Sequence, residues 1–87
     1  MVEINWTLEA DRWLNDIHEF IARDNPSAAA KVVLGIYNKV QMLKEFPEIG
    51  YIYKGKPYSN IRILLYGHFR IAYLIKNDDR IDILGSF

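Results

Sequence analysis

Ile61-Arg62-Ile63-Leu64-Leu65-Tyr66-Gly67-His68-Phe69-Arg70-Ile71-Ala72-Tyr73-Leu74-Ile75 is the stretch that decides how this chain folds. It holds two runs rich in β-branched and aromatic residues, separated by Gly67-His68, which favours a turn. A third run, Ile81-Asp82-Ile83-Leu84, follows the turn signal Asn77-Asp78-Asp79. Three antiparallel strands are the expectation. Phe69, Ile71, Tyr73 and Ile75 form the core set of the middle strand, and Ile61, Ile63 and Leu65 that of the strand before it. For both sets to share one face, the first hairpin loop needs an odd effective length, or a bulge near Gly67. With that parity Arg62, Leu64 and Tyr66 lie on the outer face beside Arg70, Ala72 and Leu74, with Asp82 and Leu84 following.

Upstream the apolar period changes from two to between three and four. Val2-Glu3-Ile4-Asn5-Trp6 alternates as a half-buried strand does. Thr7 supplies a hydroxyl cap, Glu9 and Asp11 suit the positive end of a helix dipole, and Ala10, Trp13, Leu14, Ile17, Phe20 and Ile21 mark an amphipathic helix to about Arg23. Asp24-Asn25-Pro26-Ser27 stops that helix and caps the next. Ala29, Val32, Val33, Ile36, Tyr37, Val40 and Leu43 carry the second helix to Phe46, where Pro47 and Gly50 close it. Two apolar helical stripes need a sheet to cover. The expected fold is α+β: an N-terminal strand, then an α-hairpin of two long helices packed on one face of a twisted antiparallel sheet, in a single domain over residues 1–87.

The chain has 87 residues, eleven Lys plus Arg against eleven Asp plus Glu, and no cysteine. A chain this short buries about 60–65% of its unfolded surface, so all its elements share one core. Disulfide scaffolds and thiolate metal sites are excluded. No apolar run is long enough to span a bilayer and the N-terminus lacks a signal-peptide pattern, so no membrane partner and a cytoplasmic location are expected. The neutral total conceals segregation. Residues 1–48 carry eight acids and five bases, whereas residues 49–77 carry Lys54, Lys56, Arg62, Arg70 and Lys76 and no acid. One face therefore has positive potential, though far less than a dedicated nucleic-acid binder shows.

Arginines set among Leu64, Leu74 and Leu84 on an uncovered sheet face make a candidate partner-binding surface of Arg62, Leu64, Arg70, Leu74 and Leu84, because soluble monomers seldom expose clustered apolar side chains. The blander reading is a solvated face with either arginine paired to Asp82 across strands. Lys54 and Lys56, interleaved with Tyr51, Tyr53 and Tyr58, add cations able to meet an acidic partner, while the tyrosines read as packing over the sheet edge. Trp6 and Trp13 read as core. His18 and His68 have no second ligand at metal-binding spacing, so no metal site is expected, and Gly50, Gly55 and Gly67 follow turn logic, so no cofactor is expected either.

Trp6-Thr7 with Ala10, Ile21-Ala22, Asp24-Asn25-Pro26 with Ala29-Ala30, Leu43 with Phe46-Pro47-Glu48-Ile49-Gly50, Ile61-Arg62 and Phe69-Arg70-Ile71-Ala72-Tyr73 form an ordered set. In order and spacing the set resembles the RelE/ParE superfamily of bacterial toxins, the ParE-like branch most closely, over nearly the whole chain. The resemblance implies the toxin of a type II toxin–antitoxin pair, with a cognate antitoxin as partner, in a toxin–antitoxin hetero-oligomer or with a homodimer. It implies one of two activities: inhibition of DNA gyrase by binding, or ribosome-dependent cleavage of mRNA. In the ribonuclease branch the catalytic group includes lysines on the strand before the hairpin, an arginine at the start of the next strand, and basic and tyrosine residues after the last strand. Arg70 stands at the arginine position, but Ile61 and Ile63 occupy the lysine positions and the sequence stops at Phe87, before the last group. The expectation is therefore a toxin that acts by binding, with the ribonuclease site incomplete and enzymatic activity left open. A ribonuclease using Arg70 with Lys54 or Lys56, and a truncated homologue that only binds antitoxin, are the alternatives.

Overall fold

The computed structural model describes residues 2–54, 60–77 and 79–86. Strand β1 (Glu3–Trp6) leads into helix α1 (Leu8–Ala22) and helix α2 (Pro26–Gln41), which ends in a short 3-10 turn, Met42–Lys44. Strands β2 (Tyr51–Ile52), β3 (Ile61–Tyr66), β4 (Phe69–Asn77) and β5 (Arg80–Gly85) complete a five-stranded sheet of order β1-β5-β4-β3-β2. The α+β architecture expected from the patterning is present. The sheet is mixed: β2 to β5 are antiparallel, while β1 runs parallel to β5.

Local chemistry sets the helix ends. The Thr7 Oγ1 accepts a hydrogen bond from the Ala10 N–H at 3.2 Å and donates to the Ile83 carbonyl at 2.6 Å, so the residue that caps α1 also ties it to β5. The Asn25 Oδ1 accepts from the Ala28 N–H at 3.0 Å, and Pro26 takes the first position of α2, where its missing N–H costs nothing. Between helices and sheet lies the main core of Ala10, Ile36, Val40, Leu43, Leu64, Ile71, Tyr73, Ile81 and Ile83. At Gly35 a Cβ would collide with the Tyr66 hydroxyl, so the missing side chain leaves room for the end of the Tyr66 ring against α2.

The hairpin parity differs from the expectation. Tyr66 pairs directly with Phe69, so the β3–β4 loop is the two residues Gly67 and His68, with no bulge. Gly67 has φ +57° and His68 has a negative φ, the sign pattern of a type II′ turn, whose twist matches that of the flanking strands. An even loop places directly opposed residues on the same face. Arg62 is opposite Tyr73 and Leu64 opposite Ile71, so Arg62, Leu64 and Tyr66 face the helices. Ile61, Ile63 and Leu65 are on the outer face, opposite Leu74, Ala72 and Arg70. The irregularities lie between β4 and β5, where the register shifts between Ala72 and Tyr73 and again between Ile75 and Asn77.

A candidate partner-binding face and a buried clamp

The parity sends the two hairpin arginines to opposite sides of the sheet. Arg62 turns toward the helical side and closes over the loop after α2. Its Nη1 donates to the Gly50 carbonyl at 2.7 Å and to the Glu48 carbonyl at 3.1 Å, and its Nη2 lies 3.8 Å from Glu48 Oε2. Tyr73, directly across the ladder, reaches the same loop. Its fully buried hydroxyl donates to the Pro47 carbonyl at 2.7 Å and accepts from the Gly50 N–H at 3.0 Å. Burial pushes the Tyr73 hydroxyl above the usual tyrosine range, against the opposing pull of the Gly50 N–H and the Arg62 charge. Gly50 is required by contact: a Cβ there would lie 2.7 Å from the Ile63 carbonyl oxygen and 2.8 Å from the Tyr73 ring. Five residues of the Phe46–Gly50 and hairpin motifs (Pro47, Glu48, Gly50, Arg62 and Tyr73) thus form one clamp.

Two residues of the expected outer surface are corrected by this geometry. Arg62 is engaged in the clamp and faces the helical side. Leu64 is 4% exposed, in the main core beside Ile71. Arg70, Leu74 and Leu84 do share the outer face. Lys54 is exposed beyond β2, and Lys56 lies outside the described residues.

The outer face has a graded character. Ile61, Ile63 and Ala72 form its dry centre, with Tyr53, Leu74 and Leu84 packed around them. Toward the β3–β4 turn it becomes accessible: Leu65 is 52% exposed, Arg70 opposite it is exposed, and Tyr51, opposite Ile63, is 47% exposed. No described residue forms a hydrogen bond or ion pair with Arg70. Toward the far end Asp82 accepts from Asn5 Nδ2 at 3.0 Å and from Arg80 Nε at 2.9 Å. Burial alone would raise its pKa. Those hydrogen bonds, with the charges of Arg80 and Lys76, outweigh burial and hold the carboxylate below its usual range. The partner of Asp82 is therefore Arg80, leaving both hairpin arginines to other roles.

Leu65, Tyr51 and Tyr53 belong to this face, although pattern alone places them in the core or at the edge. The signal that could have found them is Gly67-His68 itself. A glycine followed by a polar residue between two alternating runs favours the two-residue hairpin, and an even loop fixes which side chains oppose. His68 is exposed in that turn. Among the described residues no group of three His, Asp or Glu side chains could hold a metal ion.

The fold has a close counterpart: a solved structure of a chromosomal ParDE toxin–antitoxin system from P. aeruginosa aligns with a TM-score of 0.80 at 24% identity, covering 99% of this chain and 94% of that one. A Sinorhizobium fredii protein described as "Putative toxin Y4kP" is 47% identical over 47 residues. That match covers 54% of this chain and 49% of the relative, so the chain aligns with about half the length of this curated protein. The profile of the ParE toxin of the type II toxin–antitoxin system parDE matches residues 4–85. The chain belongs to the ParE toxin family of type II toxin–antitoxin systems.

Proposed function

We propose that this toxin acts by binding its target, DNA gyrase, and that a cognate antitoxin neutralises it by covering the accessible part of the outer sheet face. The observation that carries the reading is Arg70: an exposed guanidinium without a partner among the described residues, set opposite the exposed Leu65 and beside a dry centre. A cation bordered by apolar side chains fits a partner segment that offers a carboxylate among apolar residues. Leu74, Leu84 and Tyr51 supply the apolar border, and Lys54 adds positive charge beyond the edge strand. Arg62 and Leu64 support this surface from the opposite side without forming part of it.

Cleavage of RNA has weaker support. It needs a base for the 2′-hydroxyl and an acid for the leaving oxygen beside the cation. Ile61 and Ile63, at the positions where ribonuclease relatives carry lysines, are 3% and 1% exposed in an apolar cluster. The test pairs two assays on purified protein. Gyrase supercoiling activity falls on addition of the toxin, and mRNA on translating ribosomes keeps its ends intact. New mRNA ends with unimpaired gyrase would reverse the assignment. Arg70→Glu is expected to weaken binding of the antitoxin encoded beside the toxin by roughly a hundred-fold, in line with loss and reversal of a buried charge pair.

A further inference from the structure

A second apolar surface lies on the helical side of the sheet, away from the outer face. Trp13, Ile17, Phe20 and Ile21 of α1 and Phe69 at the start of β4 line a groove of about 460 Å³, and Asp16 is the one charged residue among the described residues of its wall. Phe69 faces this side because it pairs with Tyr66 and packs on the main core, whereas Arg70, the next residue, faces the other. The apolar stripe of α1 is wider than the core it serves. Trp13, Leu14 and Ile17 reach that core, but Phe20 is left on the rim of the groove at 71% exposure, the highest of the large apolar side chains described. Soluble chains seldom leave an apolar groove and a protruding ring side by side unless something covers both.

The charges flanking this patch are their own complement. Asp16 and Arg23 are both exposed, and Arg23, the C-cap of α1, keeps helical backbone angles (φ −57°, ψ −37°). Seven residues are two helical turns, so the pair occupies one side of α1 about 10 Å apart along its axis. That is too far for them to meet within one chain, and neither forms an ion pair among the described residues. Arg12, one turn before Asp16, is exposed and is not joined to it either. When two copies of a helix meet antiparallel about a two-fold axis, residues equally spaced from that axis come opposite each other. An axis passing beside Phe20 sets Asp16 of each copy against Arg23 of the other, and brings each Phe20 ring to the groove of the other copy.

We infer that this chain forms a symmetric dimer through α1, with Phe20 of each copy seated in the groove of the other and two Asp16–Arg23 ion pairs bracketing the contact. The occupant is a second copy because ring, groove and both charges lie on one patch and match that same patch after a two-fold rotation, which is the requirement of an isologous interface. The aromatic ring supplies most of the affinity and the ion pairs fix the register. One helix face with a single aromatic anchor is a small contact, so the dimer belongs with weak, concentration-dependent associations. It leaves the outer face free in both copies, since Arg70 lies on the opposite side of the sheet, and it does not depend on what binds there.

Sedimentation velocity of the full chain from about 1 μM to about 1 mM tests the inference, and the sedimentation coefficient is expected to rise from that of a monomer toward that of a dimer across this range. Phe20→Glu should hold the protein monomeric throughout, with an unchanged urea-unfolding midpoint because the ring is exposed. Asp16→Arg alone, or Arg23→Asp alone, should weaken the dimer by roughly ten-fold, and the two exchanges in one chain should restore it. Arg70→Glu should leave self-association unchanged, which separates this result from any loss of antitoxin binding. A protein that stays monomeric at about 1 mM overturns the inference and leaves the groove to a different molecule. So does a dimer that Phe20→Glu does not weaken, or one in which the single charge exchanges have no effect or the double exchange fails to restore pairing.

Discussion

Arg62 and Arg70 sit in the same hairpin, each following an aromatic or apolar residue, and their fates are opposite. Arg62 points to the helical side of the sheet and donates to the carbonyls of Glu48 and Gly50 in the loop after α2. Arg70 points outward beside Leu65 and has no hydrogen-bond or ion-pair partner among the described residues. Neither charge nor neighbouring hydropathy separates them. A two-residue turn does, because strand side chains alternate strictly and one added residue would have exchanged the two sides. The clamp side holds the loop after α2 in place and the outer side is the proposed recognition surface, so substitutions on the two should split between folding and binding measurements.

The largest expected effect is on the clamp side. Gly50→Ala places a methyl against the Ile63 carbonyl and the Tyr73 ring, and should cost about 3 kcal/mol in urea unfolding, the size of an overpacked core site. Arg62→Ala removes two charged hydrogen bonds, one to the part-buried Gly50 carbonyl and one to the exposed Glu48 carbonyl, and should cost about 2 kcal/mol. Antitoxin affinity measured on the folded fraction should stay within about two-fold of the parent protein, inside the spread of neutral surface substitutions. A large loss of affinity there would erase the division between the two faces. Tyr73→Phe strips the Gly50 N–H and Pro47 carbonyl of their partner, at about 1–2 kcal/mol near neutral pH.

That substitution also sharpens the contrast through pH. The Tyr73 pKa is raised in the folded state, so the unfolded chain loses this proton first as pH rises. Its contribution to stability is full below the ordinary tyrosine pKa of about 10 and declines above it, and Tyr73→Phe should flatten that alkaline decline. Asp82, on the outer side, has the opposite sign. Its pKa is lowered in the fold, so its contribution is present above the ordinary aspartate value of about 4 and is lost as pH falls through the folded value. Asp82→Asn should therefore weaken the acid dependence of unfolding. Smallest of all for stability is Arg70→Ala, expected within about 0.5 kcal/mol of the parent as a surface change, while its effect appears in binding.

Much of the fold was legible because its signals are local and repeated. The caps at Thr7 and Asn25, the proline opening α2 and the apolar stripes of both helices act within a few residues of themselves. The strands of the hairpin were legible for the same reason. Which face each strand presents was not, because Ile61-Arg62-Ile63-Leu64-Leu65-Tyr66 is apolar on both sides: Ile61 and Ile63 alternate as convincingly as Leu64 and Tyr66. Where both faces are buried, alternation carries no direction and the turn must decide. β2 escaped notice because two residues, Tyr51 and Ile52, give no period at all. The same ambiguity divided the expected site. Arg70, Leu74 and Leu84 share the expected side, whereas a single step of parity puts Arg62 and Leu64 on the opposite one.

The pairing of β1 with β5 joins Glu3 to Arg80 and Trp6 to Ile83, so β1 finds its neighbour only after the three strands between them in sequence have been made. Closing so long a loop carries an entropic penalty that local helix formation cannot repay by itself. Until β5 emerges, β4 lacks a flank and the Thr7 hydroxyl has no Ile83 carbonyl to hold. A nascent chain of this design therefore gains its tertiary core late, and both faces of the sheet are complete only then.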